Sequence, residues 1–415
     1  MGGRIKVQGG RPLYGRAQVP PAKNSVLPLL AASVLCGSPA ALLGPPRLSD
    51  VEDCLAILRA AGCQARWQGQ NLLAGGPPSR CRLPQAQAGR MRASILFAAP
   101  VLARLGRVET WLPGGCRIGS RPVDWHLSAL ERMGARVCQV GQRLVLSAPT
   151  GLHGACLSLP GPSVGATETA LLAGCAARGR TVVENAALEP EILDLAQFLN
   201  RCGGCVEGAG TSRIVIEGGR RLHGTAYRPM PDRIFASTLA CAVASARGRV
   251  TIAGCSPGLY APVLDVLEQA GCWVLRGAGW ASVGRAGPLR GVGLLETGVY
   301  PGLATDAAPL VAAALLSARG QTVLVDHVFE ARFGCAGGFE AMGAAVSVRG
   351  RTLHIHGGRP LHGADVTAGD LRGGAALVVA ALGARGSSRI AGREYIARGY
   401  GGLEEMLRSL GARIG

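Results

Sequence analysis

One cysteine in this chain stands apart from the rest. The stretch Leu112-Pro-Gly-Gly-Cys116-Arg-Ile-Gly-Ser-Arg121-Pro-Val-Asp-Trp-His126 sets Cys116 on a glycine-rich loop between arginines. Nearby cations stabilise a thiolate and make it reactive. A Pro-Gly-Gly run suits a loop that moves over a substrate. The other thirteen cysteines are scattered. Most sit inside apolar helical patterns, as Cys36, Cys54, Cys175 and Cys241 do, and read as small buried hydrophobes. No apolar helix surrounds Cys116, so it reads as a functional thiol.

A second group of reactive side chains lies where small-residue helices begin. Lys23 and Asn24 precede the first and Arg92 opens the second. Ser163 to Thr167 open the third, Asp232-Arg233 the fourth, Thr305-Asp306 the fifth, and Asp370 with Arg372 the sixth. Free N–H groups and the helix dipole draw anions to such ends. Ordinary N-capping accounts for Asp306 and Asp370, but not for Lys23 or Arg92. The pattern predicts a substrate rich in phosphate or carboxylate, held between two halves of the protein. Other motifs carry less. Cys202-Gly-Gly-Cys205 has no second pair and no spaced histidines, so it is not read as a zinc site. His354 and His356 share one face of a strand and read as solvated. Gly208-Ala-Gly210 does not continue into a dinucleotide fingerprint. No metal and no cofactor are expected.

The elements that position these residues repeat six times. Each unit ends in a helix, a glycine and a strand, as in LRAAGCQARW from Leu58 or LEQAGCWVLR from Leu267. The shared glycines are Gly62, Gly134, Gly203, Gly271, Gly343 and Gly411, spaced 68–72 residues apart. A small-residue helix such as RIFASTLACAVASARG stands earlier in every unit, and it is apolar nearly all round. Such a helix is buried on every side. Segments such as GGRPLYGRAQV, GGRRLHGTAY and GGRPLHGADV read as hairpins before these helices. The unit is therefore an α/β module with two helices and about four strands. Six modules predict two globular halves of three modules each, with helices inside and sheets outside.

The chain has 415 residues, 48% hydrophobic and 17% charged, enough for sizeable cores. Its longest apolar run, Ala307 to Ala318, is too short for a membrane span, and the first residues lack a hydrophobic signal core. A cytoplasmic protein with reduced cysteines and no membrane partner is expected. The net charge of +18 favours anionic partners. Nucleic acid is not expected, because no run of five basic residues occurs and aromatics are not interleaved with the arginines along the chain.

These motifs resemble a known family over essentially the whole length: the enolpyruvyl transferases that act on UDP-N-acetylglucosamine. The resemblance rests on AKNSVLPLLAA, LPGGCRIGSRPVDWH, PSVGATETALLA, VVENAALEPEILDLAQFLN, PDRI, YPGLATD, VFEARF, VTAGDLR and ARGYGGLEEMLRSLGA. It implies two inside-out α/β barrel domains with a cleft between them, residues 1–22 with 230–415 and residues 23–229. It also implies transfer of the enolpyruvyl group of phosphoenolpyruvate to the 3′-hydroxyl of the sugar nucleotide, releasing phosphate, at the start of peptidoglycan synthesis. By the same resemblance Cys116 protonates the methylene and Asp306 handles the hydroxyl proton. Lys23, Arg121 and Arg398 hold the phosphate and carboxylate. Asn24, Arg92, Arg121, Pro122, Val123, Asp124, Trp125, Ser163, Val164, Gly165 and Val328 contact the sugar nucleotide, and Asp370 and Arg372 support the reacting centre. A monomer is expected. The chain departs from the family pattern at Gly161, Leu188, Phe235, Ala307-Ala308-Pro309, Ala331 and Ala397. These departures keep two alternatives open: a catalytically impaired paralogue that binds substrate, and another enolpyruvyl transferase of the same fold.

Overall fold

The computed structural model describes residues 3–114, 119 and 122–415, so Cys116 and Arg121 lie outside the described residues. The protein is α/β and divides into two compact units. One holds the residues up to Pro20 with Pro231–Gly415, and the other holds residues 21–114 and 122–230.

Six small-residue helices form the interiors. They are α1 (Lys23–Ala32), α2 (Ala98–Leu105), α3 (Val164–Ala176), α4 (Arg233–Ala246), α5 (Ala308–Leu315) and α6 (Leu371–Gly383). Every residue of α4 and α5 is buried, as is all of α6 except its last. Alanine suits this role because it is the best helix former and lets neighbouring backbones approach closely. In the residue 231–415 unit α4, α5 and α6 pack on one another. Side chains satisfy the helix ends that this packing buries. Asp232 and Asp370 accept N–H groups at the starts of α4 and α6, and the buried Arg285 guanidinium donates to the carbonyls of Ala244 and Ser245 at the end of α4. Two predicted helices are less regular than their sequence pattern. The first passes into a 3₁₀ turn at Ser33–Leu35, and the second opens as 3₁₀ over Arg92–Phe97 before α2.

Among the described residues each unit carries three sheets. Five sheets have four strands, with one parallel pair and two antiparallel pairs each. The sixth has three strands, Arg107–Trp111, Arg143–Ser147 and Arg136–Val140. There a single bridge from Arg82 to Glu109 stands in for the fourth strand, because Pro84 starts a helical turn two residues later. The six shared glycines all have φ between 85° and 107° and follow a helix end, where any other residue would be strained.

The glycine pairs predicted as hairpins instead carry the chain from one sheet to the next. Arg4–Gln8 and Leu13–Gln18 lie in different sheets, as do Arg213–Glu217 and Ala226–Tyr227. The reason is steric. At Gly9, Gly218 and Gly357 a Cβ would come within 1.7–2.2 Å of a carbonyl oxygen at or just past the end of a buried helix. The connection runs too close to that helix for a side chain, and the second glycine then turns it at positive φ.

At the two places where the chain passes from one unit to the other, the last strand stays in the sheet of its own unit. Leu13–Gln18 precedes α1 in sequence and pairs in parallel with Gly248–Ala253 of the residue 231–415 unit. Ala226–Tyr227 leads into α4 yet pairs in parallel with Pro39–Leu42. In the residue 21–230 unit the Ala22 N–H donates to the Met230 carbonyl at 2.7 Å. In its neighbour Asp232 N–H donates to the Pro20 carbonyl at 2.8 Å. Among the described residues no helix is long and apolar enough to cross a membrane, and no group of three or more His, Cys, Asp or Glu is placed to hold a metal ion.

Candidate active site

In the residue 231–415 unit the polar residues gather at the start of α5. Asp306 Oδ1 accepts from Arg332 Nη2 at 3.1 Å, and Oδ2 accepts from Arg372 Nε at 3.0 Å and Nη2 at 2.9 Å. The two guanidiniums are almost wholly buried, while the Asp306 carboxylate keeps 28% exposure. The carboxylate is therefore held by charge-assisted hydrogen bonds with a side open to solvent. Arg332 Nε also donates to Thr305 Oγ1, which in turn donates to the fully buried Asp326 at 2.6 Å. Asp326 accepts from the N–H groups of Val328 and Phe329, which fixes the Val328 backbone. Arg332 stacks over the Phe329 ring.

Arg372 is held from both sides. Asp370 caps its N–H at 2.9 Å, and its guanidinium lies 5.3 Å from the Tyr400 ring. Burial works against the Arg372 charge, but Asp306 leads the groups that outweigh it, with Tyr400 and Asp232, so the net effect is a raised pKa. Burial also raises Tyr400, whose hydroxyl meets Thr238 Oγ1 at 2.9 Å. Arg398 is half-buried at the end of the turn Arg393–Ala397. Its neighbour Gly399 packs so closely on Leu371 that a Cβ would come within 2.7 Å of that side chain. Arg398 is thereby tied to the start of α6. Phe235, a departure from the family pattern, is buried with its ring 5.9 Å from Tyr400 and fills the core beneath the cluster.

In the residue 21–230 unit Lys23 is the first residue of α1, and Nζ meets Asp50 Oδ2 at 3.1 Å with both groups largely buried. Asn24 beside it is exposed. Ser25, next in the helix, donates to the buried Asp194, which also accepts from Tyr227 Oη at 2.7 Å and the Met230 N–H at 3.3 Å. Burial is the main reason the Asp194 carboxyl lies above its ordinary pKa.

A second cluster of this unit joins three stretches distant in sequence. Arg92 donates to the Pro122 carbonyl. The helix Asp124–Arg132 packs on α3, where buried His126 Nδ1 meets Thr169 Oγ1 at 2.7 Å. Gly165 faces the same imidazole, and a Cβ there would come within 2.8 Å of His126 Cε1. Ser163 caps α3. Trp125 is 38% exposed and extends toward Gly161. Burial, helped by Arg92, pushes His126 down to about 3, so it is a neutral structural imidazole at physiological pH. Glu168 on α3 is pushed well above its ordinary pKa by burial, then by Glu191 and Glu189.

A profile of the EPSP synthase (3-phosphoshikimate 1-carboxyvinyltransferase) family matches residues 7–407. A UDP-N-acetylglucosamine 1-carboxyvinyltransferase of Thermus thermophilus is 42% identical over 411 residues, 99% of this chain and 96% of that protein. UDP-N-acetylglucosamine 1-carboxyvinyltransferase 2 of Caldanaerobacter subterraneus subsp. tengcongensis is 38% identical over 413 residues, 99% of each chain. This chain belongs to the enolpyruvyl transferase family. Among solved structures, the enolpyruvyl transferase NikO from Streptomyces tendae superposes with a TM-score of 0.88 at 28% identity, covering 100% of this chain and 99% of that one. EPSP synthase from Acinetobacter baumannii superposes at 0.75 and 20% identity, covering 99% of each chain, which is a likeness of fold alone.

Within this enolpyruvyl transferase the structure brings Asp306 and Arg372 into direct contact, with Asp370 capping the same helix end. It gathers Arg92, Pro122 to Trp125 and Ser163 to Gly165 into one cluster and sets Lys23 against Asp50. Sequence reasoning missed Asp50, Arg332, Asp326, Thr169 and His126 as partners. Arg332 had a readable signal, because a lone arginine between Phe329 and Phe333 needs a buried acid.

Proposed function

We propose that this chain transfers the enolpyruvyl group of phosphoenolpyruvate to the 3′-hydroxyl of UDP-N-acetylglucosamine, releasing phosphate, in the first committed step of peptidoglycan synthesis. Relatives of that name at 38–42% identity, matched end to end, support the reading. The observation that carries it is the Asp306 carboxylate, fixed at the start of α5 by Arg332 and Arg372 with an open side.

In the addition step Asp306 takes the proton of the 3′-hydroxyl as the oxygen bonds to C2 of phosphoenolpyruvate. Cys116 delivers a proton to the C3 methylene. In the second step C3 loses a proton and phosphate leaves C2, which restores the enol double bond on the sugar. Lys23, Arg121 and Arg398 hold the phosphate and carboxylate, so charge develops against fixed cations. Asp50 orients Lys23. Asn24, Arg92, Pro122 to Trp125, Ser163 to Gly165 and Val328 bind the sugar nucleotide. The two compact units are then the two inside-out α/β domains, and the reaction takes place in the cytoplasm.

Phosphate release tests this directly. Release should require both substrates and be absent with either alone. Release with 3-phosphoshikimate in place of UDP-N-acetylglucosamine would move the assignment to another enolpyruvyl transfer. No release with any acceptor would favour the impaired paralogue.

A further inference from the structure

The outer face of one sheet in the residue 231–415 unit has an unusual make-up. Its strands run in the order Trp273–Gly277, Trp280–Arg285, Gly248–Ala253 and Leu13–Gln18. Ala281, Val283, Val250, Ile252 and Leu13 face the core. On the opposite face the register builds a row across all four strands that reads Trp273, Gly284, Arg249, Tyr14. The Trp273 indole lies across Gly284, where a Cβ would come within 2.2 Å of it, and Trp280 lies across Gly277 in the same way at 2.3 Å. Arg249 sits 5.2 Å from the Trp273 ring centroid. Trp273 stays 38% exposed, Trp280 36% and Tyr14 61%, with Leu275 between the tryptophans at 55%. Arg16 shares this face, and none of the four strands contains an Asp or a Glu.

Flat indoles over strand glycines repair the packing those glycines would lose. That explains where the rings lie. It does not explain why an arginine and a tyrosine join them in one row, or why acids are missing.

We propose that this sheet face binds single-stranded nucleic acid. Aromatic rings on a sheet offer π-faces to bases of any sequence, and arginines between them meet the phosphates. The chain's net charge of +18 adds a favourable field. A second copy fits the face poorly, since self-docking would bring Arg249 and Arg16 against their own kind with no acid on the face to offset them. Along the chain the arginines and aromatics are not interleaved, which is why nucleic acid is not expected from the sequence. The strand register interleaves them in space.

The test is anisotropy of a fluorescein-labelled 15-nucleotide oligouridylate with the full chain, repeated over a KCl series. Trp273→Ala and Trp280→Ala should each weaken binding roughly 5- to 100-fold. Trp273→Phe should keep most of it, and Arg249→Gln should weaken binding and flatten its salt dependence by about one ion. Thermal midpoints and phosphate release monitor the fold of each variant. Should Trp273→Ala lose the fold, Trp273→Phe and Arg249→Gln carry the test. The proposal fails if the oligonucleotide does not bind at low salt, or if the tryptophan variants bind like the parent and only salt matters. It also fails if sedimentation shows a dimer that Trp273→Ala dissociates, which would give the face to a second copy.

Discussion

Lowering the pH should destabilise this protein through His126, and the size of the effect follows from its surroundings. In an unfolded chain a histidine titrates near 6.5. Here burial first, and Arg92 second, hold the ring down to about 3. Between those values the unfolded chain takes up a proton that the folded state refuses. The unfolded state thus binds more protons, and stability falls as pH is lowered through 6.5. Each pH unit removes up to about 1.4 kcal/mol, so about 2 kcal/mol is gone at pH 5. Typical domains hold only about 5–15 kcal/mol. Glu168 and Asp194 act in the opposite sense. Burial raises both, so their folded forms keep protons and their contribution is lost as pH rises. The curve of the whole protein therefore mixes signs, and the difference against His126→Asn isolates the imidazole. An amide there still reaches Thr169 and does not titrate. Urea midpoints of the two proteins should draw closer by the equivalent of about 2 kcal/mol between pH 7.5 and 5. Parallel pH dependences would show that the imidazole is hydrated or already charged in the folded state, and would refute the reasoning.

Arg332→Met removes one of the two guanidiniums on Asp306 and should lower kcat by roughly 10- to 100-fold through a misdirected carboxylate, with Arg332→Lys recovering part of it; unchanged steady-state kinetics would remove Arg332 from the positioning of Asp306. Asp50→Asn takes the counter-charge from Lys23 and should raise KM for phosphoenolpyruvate about 5- to 10-fold, with a smaller change in kcat; an unchanged KM would mean that the ion pair does not orient the lysine.

The repeat was legible because its physics is local. A helix must end, and a glycine in the left-handed region ends it the same way at Gly62 and at Gly411. The small-residue helices were legible because apolar residues all round a helix leave it nowhere to go but the interior. The glycine pairs at Gly9 and Gly218 were misread as hairpins, since hairpin and inter-sheet crossover share a composition. Only the carbonyl oxygen facing the missing Cβ separates them. The Asp306 cluster was half legible. Thr305, Asp306, Asp370 and Arg372 stand at helix starts that repeat in phase. Arg332 and Asp326 reach the same point from the stretch that follows the strand Gln321–Val325, away from the helix starts. The pairing of Trp273 with Arg249 and Tyr14 depends on strand register across 259 residues of sequence, which no local pattern carries.

The arrangement around Asp306 makes more sense as chemistry than as stability. Stripping water from two guanidiniums costs several kcal/mol each, and buried ion pairs are often replaceable by apolar groups without loss. A unit built from alanine-rich helices, with Leu310, Leu377 and Phe339 fully buried, has no need of charge to hold together. Yet Arg332 and Arg372 are both buried, and both are turned on one carboxylate that stays partly open. Neighbouring groups offset part of the cost, Thr305 and Asp326 beside Arg332 and the Tyr400 ring beside Arg372, but the Arg372 Nη1 is buried without a hydrogen-bond partner among the described residues. What this secures is a single position for the open oxygen side of Asp306, held before any substrate arrives. In the proposed reaction Asp306 is the proton acceptor, and on a flexible side chain that group would have to be ordered in the transition state, whereas here the fold orders it.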